Sequence, residues 1–219
     1  MLKRLIAVTG VGPGVGKSTL CRALARGLAE GGQAVDHFEE AEVLSRPAFR
    51  AVAEEFRGGA GRVRPQTLVA ATRSCLARAR ADGFEVQVTD ALLPFVPSLV
   101  AWGHDETAIA GVLADLAEAV APTEVTVVYL SDDPERSLRR AVAREAPGWA
   151  EWYLAKLADS PGTRQVTDLA SAARQLRWER ELTLRLLADT GWRVVTVEVA
   201  EGDPDRTARR VWEALDGAG

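Results

Sequence analysis

The chain reads as an α/β protein: an open, five-stranded parallel sheet with helices on both faces. Three observations predict this class. Short apolar runs rich in β-branched residues alternate with longer helix-period segments along all 219 residues. The first run, Leu5-Ile6-Ala7-Val8, passes straight into a glycine-rich turn and then a helical stretch. The third run closes on an acid, Asp90, where a parallel strand would deliver it to the carboxyl edge of the sheet.

The elements follow in order. After the first strand comes Val11-Gly12-Pro13-Gly14-Val15-Gly16-Lys17-Ser18-Thr19. Leu20, Leu24 and Leu28 then recur every four residues on one face of a helix from Ser18 to Ala29, and Gly31-Gly32 ends it. A second strand is predicted over Ala34–Phe38. Helices follow at Pro47–Phe56 and Pro65–Ala81, each with proline in the first turn, separated by Gly58-Gly59-Ala60-Gly61. The third strand covers Glu85–Thr89. Ile109, Val112, Leu113, Leu116 and Val120 mark an amphipathic helix, and Val125–Leu130 is a clear fourth strand. Asp133-Pro134-Glu135-Arg136 has the form of a helix start, with Asp133 as cap. A fifth strand, Arg193–Val199, precedes a last helix over about Pro204–Leu215. The length fits one domain spanning residues 1–219.

Bulk properties exclude several classes. A net charge of -4 argues against nucleic acid as a partner, since such binders normally carry a basic stripe. The two cysteines, Cys21 and Cys75, both fall in predicted helices, which suits a reducing, cytoplasmic setting better than a disulfide framework. The first apolar run is too short for a secretory signal, and no segment reaches the ~18 apolar residues of a membrane span.

The chemistry concentrates around Lys17. Gly14 and Gly16 let the backbone curl so that successive N–H groups face phosphate oxygens, and the following helix adds its positive end. In such a loop Gly12, Pro13, Gly14, Val15, Gly16, Lys17, Ser18 and Thr19 surround the phosphates. Lys17 reaches the β- and γ-phosphates, and the Ser18 hydroxyl ligates Mg²⁺. The usual pattern has glycine at position 11, where this chain has Val11 between Gly10 and Gly12. Asp90 is placed to hold the same Mg²⁺, directly or through water; its plainer reading is a loop or cap acid. Asp36, Glu39 and Glu40 cluster at the end of strand two, where one carboxylate could take the proton of an attacking hydroxyl, and spacing does not choose among them.

Arg136, Arg140 and Arg144 share a helical face, with Arg139 adjacent. Such a row can neutralise charge on a transferring phosphoryl group, with Arg140 and Arg144 the preferred pair; a surface paired with Glu135 and Glu145 is the alternative. His37, near the acceptor side, and Arg73, on the third predicted helix, are weaker acceptor-site candidates. His37 and His104 show no metal-ligand spacing. Trp149, Trp152 and Tyr153 read as helix packing, or else as a base clamp.

On these residues the chain resembles the thymidylate kinase-like and deoxynucleoside kinase-like branch of P-loop kinases. Gly12-Pro13-Gly14-Val15-Gly16-Lys17-Ser18-Thr19 is similar to that branch's phosphate loop. Tyr129-Leu130-Ser131-Asp132-Asp133-Pro134-Glu135 followed by Leu138, Arg139 and Arg140 resembles its fourth strand and lid entry. Glu151 to Leu157 is similar to the helix after the lid, and Glu201-Gly202-Asp203-Pro204 to the loop around adenine. The resemblance implies a three-layer sandwich with strand order 2-3-1-4-5, a helical lid over about 136–162 and an ATP·Mg²⁺ donor bound also by Arg136, Gly202 and Asp203. It further implies Glu39 or Glu40 as base, and relatives that are commonly homodimers. Thr89-Asp90-Ala91-Leu92 stands where deoxynucleoside kinases carry Glu-Arg-Ser and thymidylate kinases an Asp-Arg pair. The expected acceptor is therefore a nucleoside or nucleoside monophosphate, or else the hydroxyl of another metabolite or an antibiotic. A regulatory NTPase or a non-catalytic nucleotide-binding module is the reading from another class. Neither an Asn-Lys-x-Asp base-reading motif nor a Leu-Ser-Gly-Gly-Gln signature occurs.

Overall fold

A computed structural model describes residues 2–217 apart from Leu44 and Ala60. Ala60 belongs to the glycine-rich run between two predicted helices, so that position lies outside the described residues. Five strands, β1 (Arg4–Gly10), β2 (Val35–Phe38), β3 (Val86–Thr89), β4 (Glu124–Ser131) and β5 (Arg193–Glu198), form one all-parallel sheet in the order β2-β3-β1-β4-β5. Leu5, Ile6, Ala7 and Val8 are buried on both faces, which explains why β1 is a continuous apolar run without polar alternation. Because every strand runs the same way, every strand delivers its following loop to one edge.

Helices cover both faces. On one side α1 (Lys17–Glu30) and α9 (Pro204–Asp216) close a core holding Ile6, Val8, Leu20, Leu24, Val128, Leu130 and Val211. On the other, α3 (Pro65–Ala81), α5 (Glu106–Val120) and the end of α8 (Leu169–Leu187) bury Leu5, Leu76, Ile109, Leu113, Leu116, Leu182 and Leu186. The predicted helix over Pro47–Phe56 is split. A short 3-10 turn, Pro47–Phe49, places Phe49 against Phe38 with ring centroids 5.1 Å apart, and α2 (Arg50–Gly58) starts after it.

Two helices were not expected from sequence: α4 (Val96–Ala101) and α8. The α8 segment carries Arg174, Arg177, Glu179, Arg180, Glu181 and Arg185, so its charge masks a buried stripe of Ala172, Ala173, Leu176, Leu182, Leu186 and Leu187. Asp168 caps it by accepting the Ser171 N–H. The stretch 136–162 contains most of α6 (Pro134–Arg144) and all of α7 (Trp149–Ala158). No described helix is long and apolar enough to cross a membrane.

Candidate active site

The glycine-rich loop leaves the central strand β1 at the carboxyl edge. Gly14 sits at φ 77 and Gly16 at φ 97, in the left-handed region that side chains rarely adopt. At Gly14 an added Cβ would fall 2.4 Å from the Ser137 carbonyl oxygen, so the loop lies flat on α6. Gly16 has nothing within 4 Å of that position, and no side chain caps the helix it precedes. The first N–H groups of α1 are therefore left without a capping side chain, the condition in which a helix start can bind an anion. Val11 is buried in the core, and its N–H donates to Leu130 O at 3.2 Å. Among described non-glycine residues only Phe95 has a positive φ, so position 11 has no conformational need for glycine. The departure from the usual pattern is a packing residue, and Gly12 at φ 135 supplies the turn.

Lys17 Nζ donates to Gly12 O at 3.1 Å, holding its ammonium inside the loop. Burial pushes Lys17 below the ordinary lysine value, while the charges of Glu40 and Asp90 pull it back up. Ser18 Oγ donates to Asp90 Oδ2 at 2.6 Å, and the other Asp90 oxygen accepts the Glu40 N–H at 2.8 Å. The ends of β2 and β3 and the start of α1 are thus tied together at one carboxylate.

The three acids at the end of strand two separate. Asp36 is buried and accepts two bonds from Arg46, at 2.9 and 3.0 Å, and a further one from Gln87. It anchors the chain beneath the sheet edge and faces away from the loop, on the side of Cys75 and Gln87. Glu39 accepts a two-pronged grip from Arg22, at 2.6 and 2.9 Å, and that bond holds its carboxyl below the ordinary range. His37 Nε2 is buried 3.6 Å from Glu39 with no hydrogen bond. Glu40 is exposed, and its carboxylate bonds no described residue; it is the largest opposite charge acting on Lys17.

At the end of β4 a residue that motif reading passed over organises the arginines. Asp132 is buried, and its carboxylate is ion-paired with Arg136 at 2.9 Å and accepts a hydrogen bond from Arg140. Arg140 Nε also donates to Gly14 O at 3.2 Å, so Asp132 aims Arg140 at the loop. The spacing Asp132, Arg136, Arg140, in steps of four from a strand end, was the signal available for it. Arg136 reaches Glu201 Oε2 at 3.5 Å and keeps Nε buried without a partner. Arg144 is exposed, bonds the neighbouring Glu145, and lies near enough to lower the Lys17 pKa further.

Other sequence-selected residues lie apart or serve structure. Asp203 accepts the Arg206 N–H at 2.7 Å as the cap of α9, and Gly202 precedes it at φ 69. Arg73 is exposed on α3 with no ion pair to a described residue, and Thr19 is exposed on α1. Trp149 and Tyr153 stack at 4.9 Å.

The donor set fits Mg²⁺. A hydroxyl and a carboxylate, both hard oxygen donors, already meet at 2.6 Å, and Mg²⁺ is commonly held by one or two such groups plus phosphate oxygens. No group of three or more potential His, Cys, Asp and Glu ligands occurs among the described residues, so an all-protein metal cage is not what the fold offers there. No protein-family model matches the chain, and no curated protein matches it.

Proposed function

We propose that the chain is an ATP-dependent phosphotransferase of the P-loop kinase type, acting on the hydroxyl of a small molecule. One observation carries the reading: a glycine loop, Lys17, the Ser18–Asp90 pair and Arg140 converge at the carboxyl edge of a parallel sheet. Bound ATP·Mg²⁺ would supply the transferable γ-phosphoryl group and neutralise part of its charge. Loop amides and Lys17 hold the phosphates, while Ser18 and Asp90 present oxygens to the metal. Arg140, and Arg144 from the outer turn, would stabilise the charge of the transferring phosphoryl group.

The acceptor oxygen forms its bond to phosphorus as the bond to the β-phosphate oxygen breaks, and its proton passes to a carboxylate. Glu40 suits that role better than Glu39, because Arg22 occupies Glu39 and holds it in its weakly basic form. The thymidylate kinase-like and deoxynucleoside kinase-like resemblance supports a nucleoside or nucleoside monophosphate as acceptor. Another metabolite hydroxyl fits the same donor half.

A thermal-shift screen with ATP·Mg²⁺ plus nucleosides, nucleotides, sugars and antibiotics tests the proposal. A ligand present at about 100 times its dissociation constant stabilises by ~2.7 kcal/mol, enough to move the midpoint clearly. A stabilising ATP·Mg²⁺ effect enlarged by one acceptor class supports phosphotransfer. No ATP·Mg²⁺ stabilisation at millimolar concentration would contradict it.

A further inference from the structure

A cavity beside the end of β2 is left unused by phosphoryl transfer as described. Its volume is about 460 Å³, within the range of small-molecule sites, and its walls include Arg46, Pro47, Arg50, Ala53, Glu54 and Arg57. Arg46 fixes its place: it donates to both Asp36 oxygens and, at 2.6 Å, to His37 O, with its guanidinium 4.4 Å from the centre of the Phe38 ring. β2 is the outermost strand and β3 lies between it and β1. Two strand spacings, roughly 10 Å of sheet, therefore separate this anchor from the strand that carries the phosphate loop.

The walls are positive in a chain that is negative overall. Residues 46–64 hold five arginines against two glutamates, whereas the whole chain carries a net charge of -4. Arg50, Ala53, Glu54 and Arg57 fall on one face of α2, and the short Ala53 side chain leaves room between the two arginines. Their seven-residue step spans about 10 Å along the axis, so both long side chains can reach one group held between them. Arg46 is already balanced by Asp36, but the other two are not held. Arg57 is exposed with no ion pair to a described residue. Arg50 meets Glu54 only at 3.9 Å, with 85% and 64% of the two side chains in solvent. An exposed pair of that kind is worth little, which leaves Arg50 available to a stronger partner. Two planar, permanently charged forks suit the oxygens and the double charge of a phosphate group.

We infer that this cavity binds the phosphate group of a small organic molecule between Arg50 and Arg57, with Pro47 and Ala53 against its carbon part and Arg46 as a fixed wall. The site goes beyond the phosphotransferase reading: its phosphate is not the one transferred, and binding needs neither Lys17 nor Mg²⁺. Glu54 opposes the ligand twice, by repelling it and by holding Arg50, so removing the Glu54 charge strengthens binding.

Calorimetric titration of the full chain with glycerol 3-phosphate and with inorganic phosphate tests this, the phosphate loop being filled beforehand with ADP and Mg²⁺. The monoester is expected to bind more tightly than inorganic phosphate, which has no carbon part for Pro47 and Ala53 to cover. Arg50→Gln and Arg57→Gln are each expected to weaken monoester binding at least about ten-fold. Glu54→Gln is expected to strengthen it about two- to five-fold, and folded Lys17→Ala to leave it unchanged. The three α2 positions are exposed, so these variants are expected to melt close to the parent. Should an arginine variant fail to fold, Glu54→Gln carries the test. No monoester binding at millimolar concentration, a preference for inorganic phosphate, undiminished binding in both arginine variants, weaker binding in Glu54→Gln, or loss of binding in folded Lys17→Ala would each overturn the inference. ADP binding, measured first on the same samples, separates the two readings: its absence counts against the phosphate loop, whereas probe binding in the cavity needs no nucleotide.

Discussion

Ser18 and Asp90 meet through a 2.6 Å hydrogen bond across 72 positions of sequence, joining the first turn of α1 to the end of β3. This pair is the strongest geometric argument that Asp90 serves a metal-phosphate centre, since a helix cap or solvent-facing loop acid has no reason to face the Lys-Ser dipeptide. Asp90→Asn keeps the shape and one acceptor oxygen. It is expected to remain folded, with a melting point close to the parent's, and to lose about 100-fold or more in Mg²⁺-dependent turnover. Steady-state kinetics over a Mg²⁺ titration checks it; full activity would remove the metal role assigned to Asp90.

Glu39 and Glu40 give the sharpest contrast between neighbours. Glu40→Gln is expected to lower kcat by about 100-fold with ATP binding intact, following the size of general-base effects. Glu39→Gln breaks the Arg22 grip and is expected to change kcat by less than about ten-fold. The reverse order would transfer the base role to Glu39.

The arginines divide by what they hold. Arg140→Ala strips a partner from buried Asp132 and from Gly14 O, so a stability loss of about 1–3 kcal/mol accompanies a fall in kcat. Arg144→Ala removes an exposed side chain, and its stability is expected to stay within about 0.5 kcal/mol of the parent while kcat falls. Urea denaturation beside kinetics separates the two.

Loop packing can be tested without chemistry. Gly14→Ala must relieve a 2.4 Å approach to Ser137 O and adopt φ 77, so a loss of about 1–3 kcal/mol and of nucleotide binding is expected. Val11→Ala removes buried methyl groups and is expected to lose about 1–2 kcal/mol while still binding ATP. Loss of ATP binding in a folded Val11→Ala protein would show that position 11 shapes the phosphate cradle after all.

Glu179 sets a pH signature. Burial pushes its carboxyl up to about 7 in the folded chain, against 4.5 for an ordinary glutamate, so between those values the folded chain holds a proton the unfolded chain has released. Stability from this group is present at low pH and lost as pH rises through about 7. Glu179→Gln should match the parent near pH 4.5 and exceed its stability by on the order of 2–3 kcal/mol at pH 8, as judged by denaturation at both values. A parent with the same pH slope as the variant would show that Glu179 does not titrate in this range.

How much of this was legible in sequence follows from where the information lies. The parallel strands and the glycine loop declare themselves locally, through β-branched runs and a fixed order of Gly, Lys and Ser. Asp90 was legible because a strand end is a position that can be read. The Arg22–Glu39 and Arg46–Asp36 pairs were not, because each joins an acid beside β2 to an arginine whose facing depends on how the chain packs. That packing distinguishes Glu40 from its neighbours. Helix α8 stayed hidden since its charged residues match its buried apolar stripe in number and interrupt it, and Glu179 stayed hidden with it. Asp132 was overshadowed by Asp133, whose capping signal is the stronger local one.

Acceptor-dependent phosphoryl transfer from ATP·Mg²⁺ at Lys17 is the activity we propose for this chain. The most direct measurement is ADP release by the parent chain and by Lys17→Ala across the acceptor panel, with the phosphorylated product identified by mass. At least one small hydroxyl compound is expected to stimulate ADP release in the parent and to become heavier by one phosphoryl group. Folded Lys17→Ala should show neither change. ADP release that no acceptor stimulates, or product formation undiminished in Lys17→Ala, would contradict it.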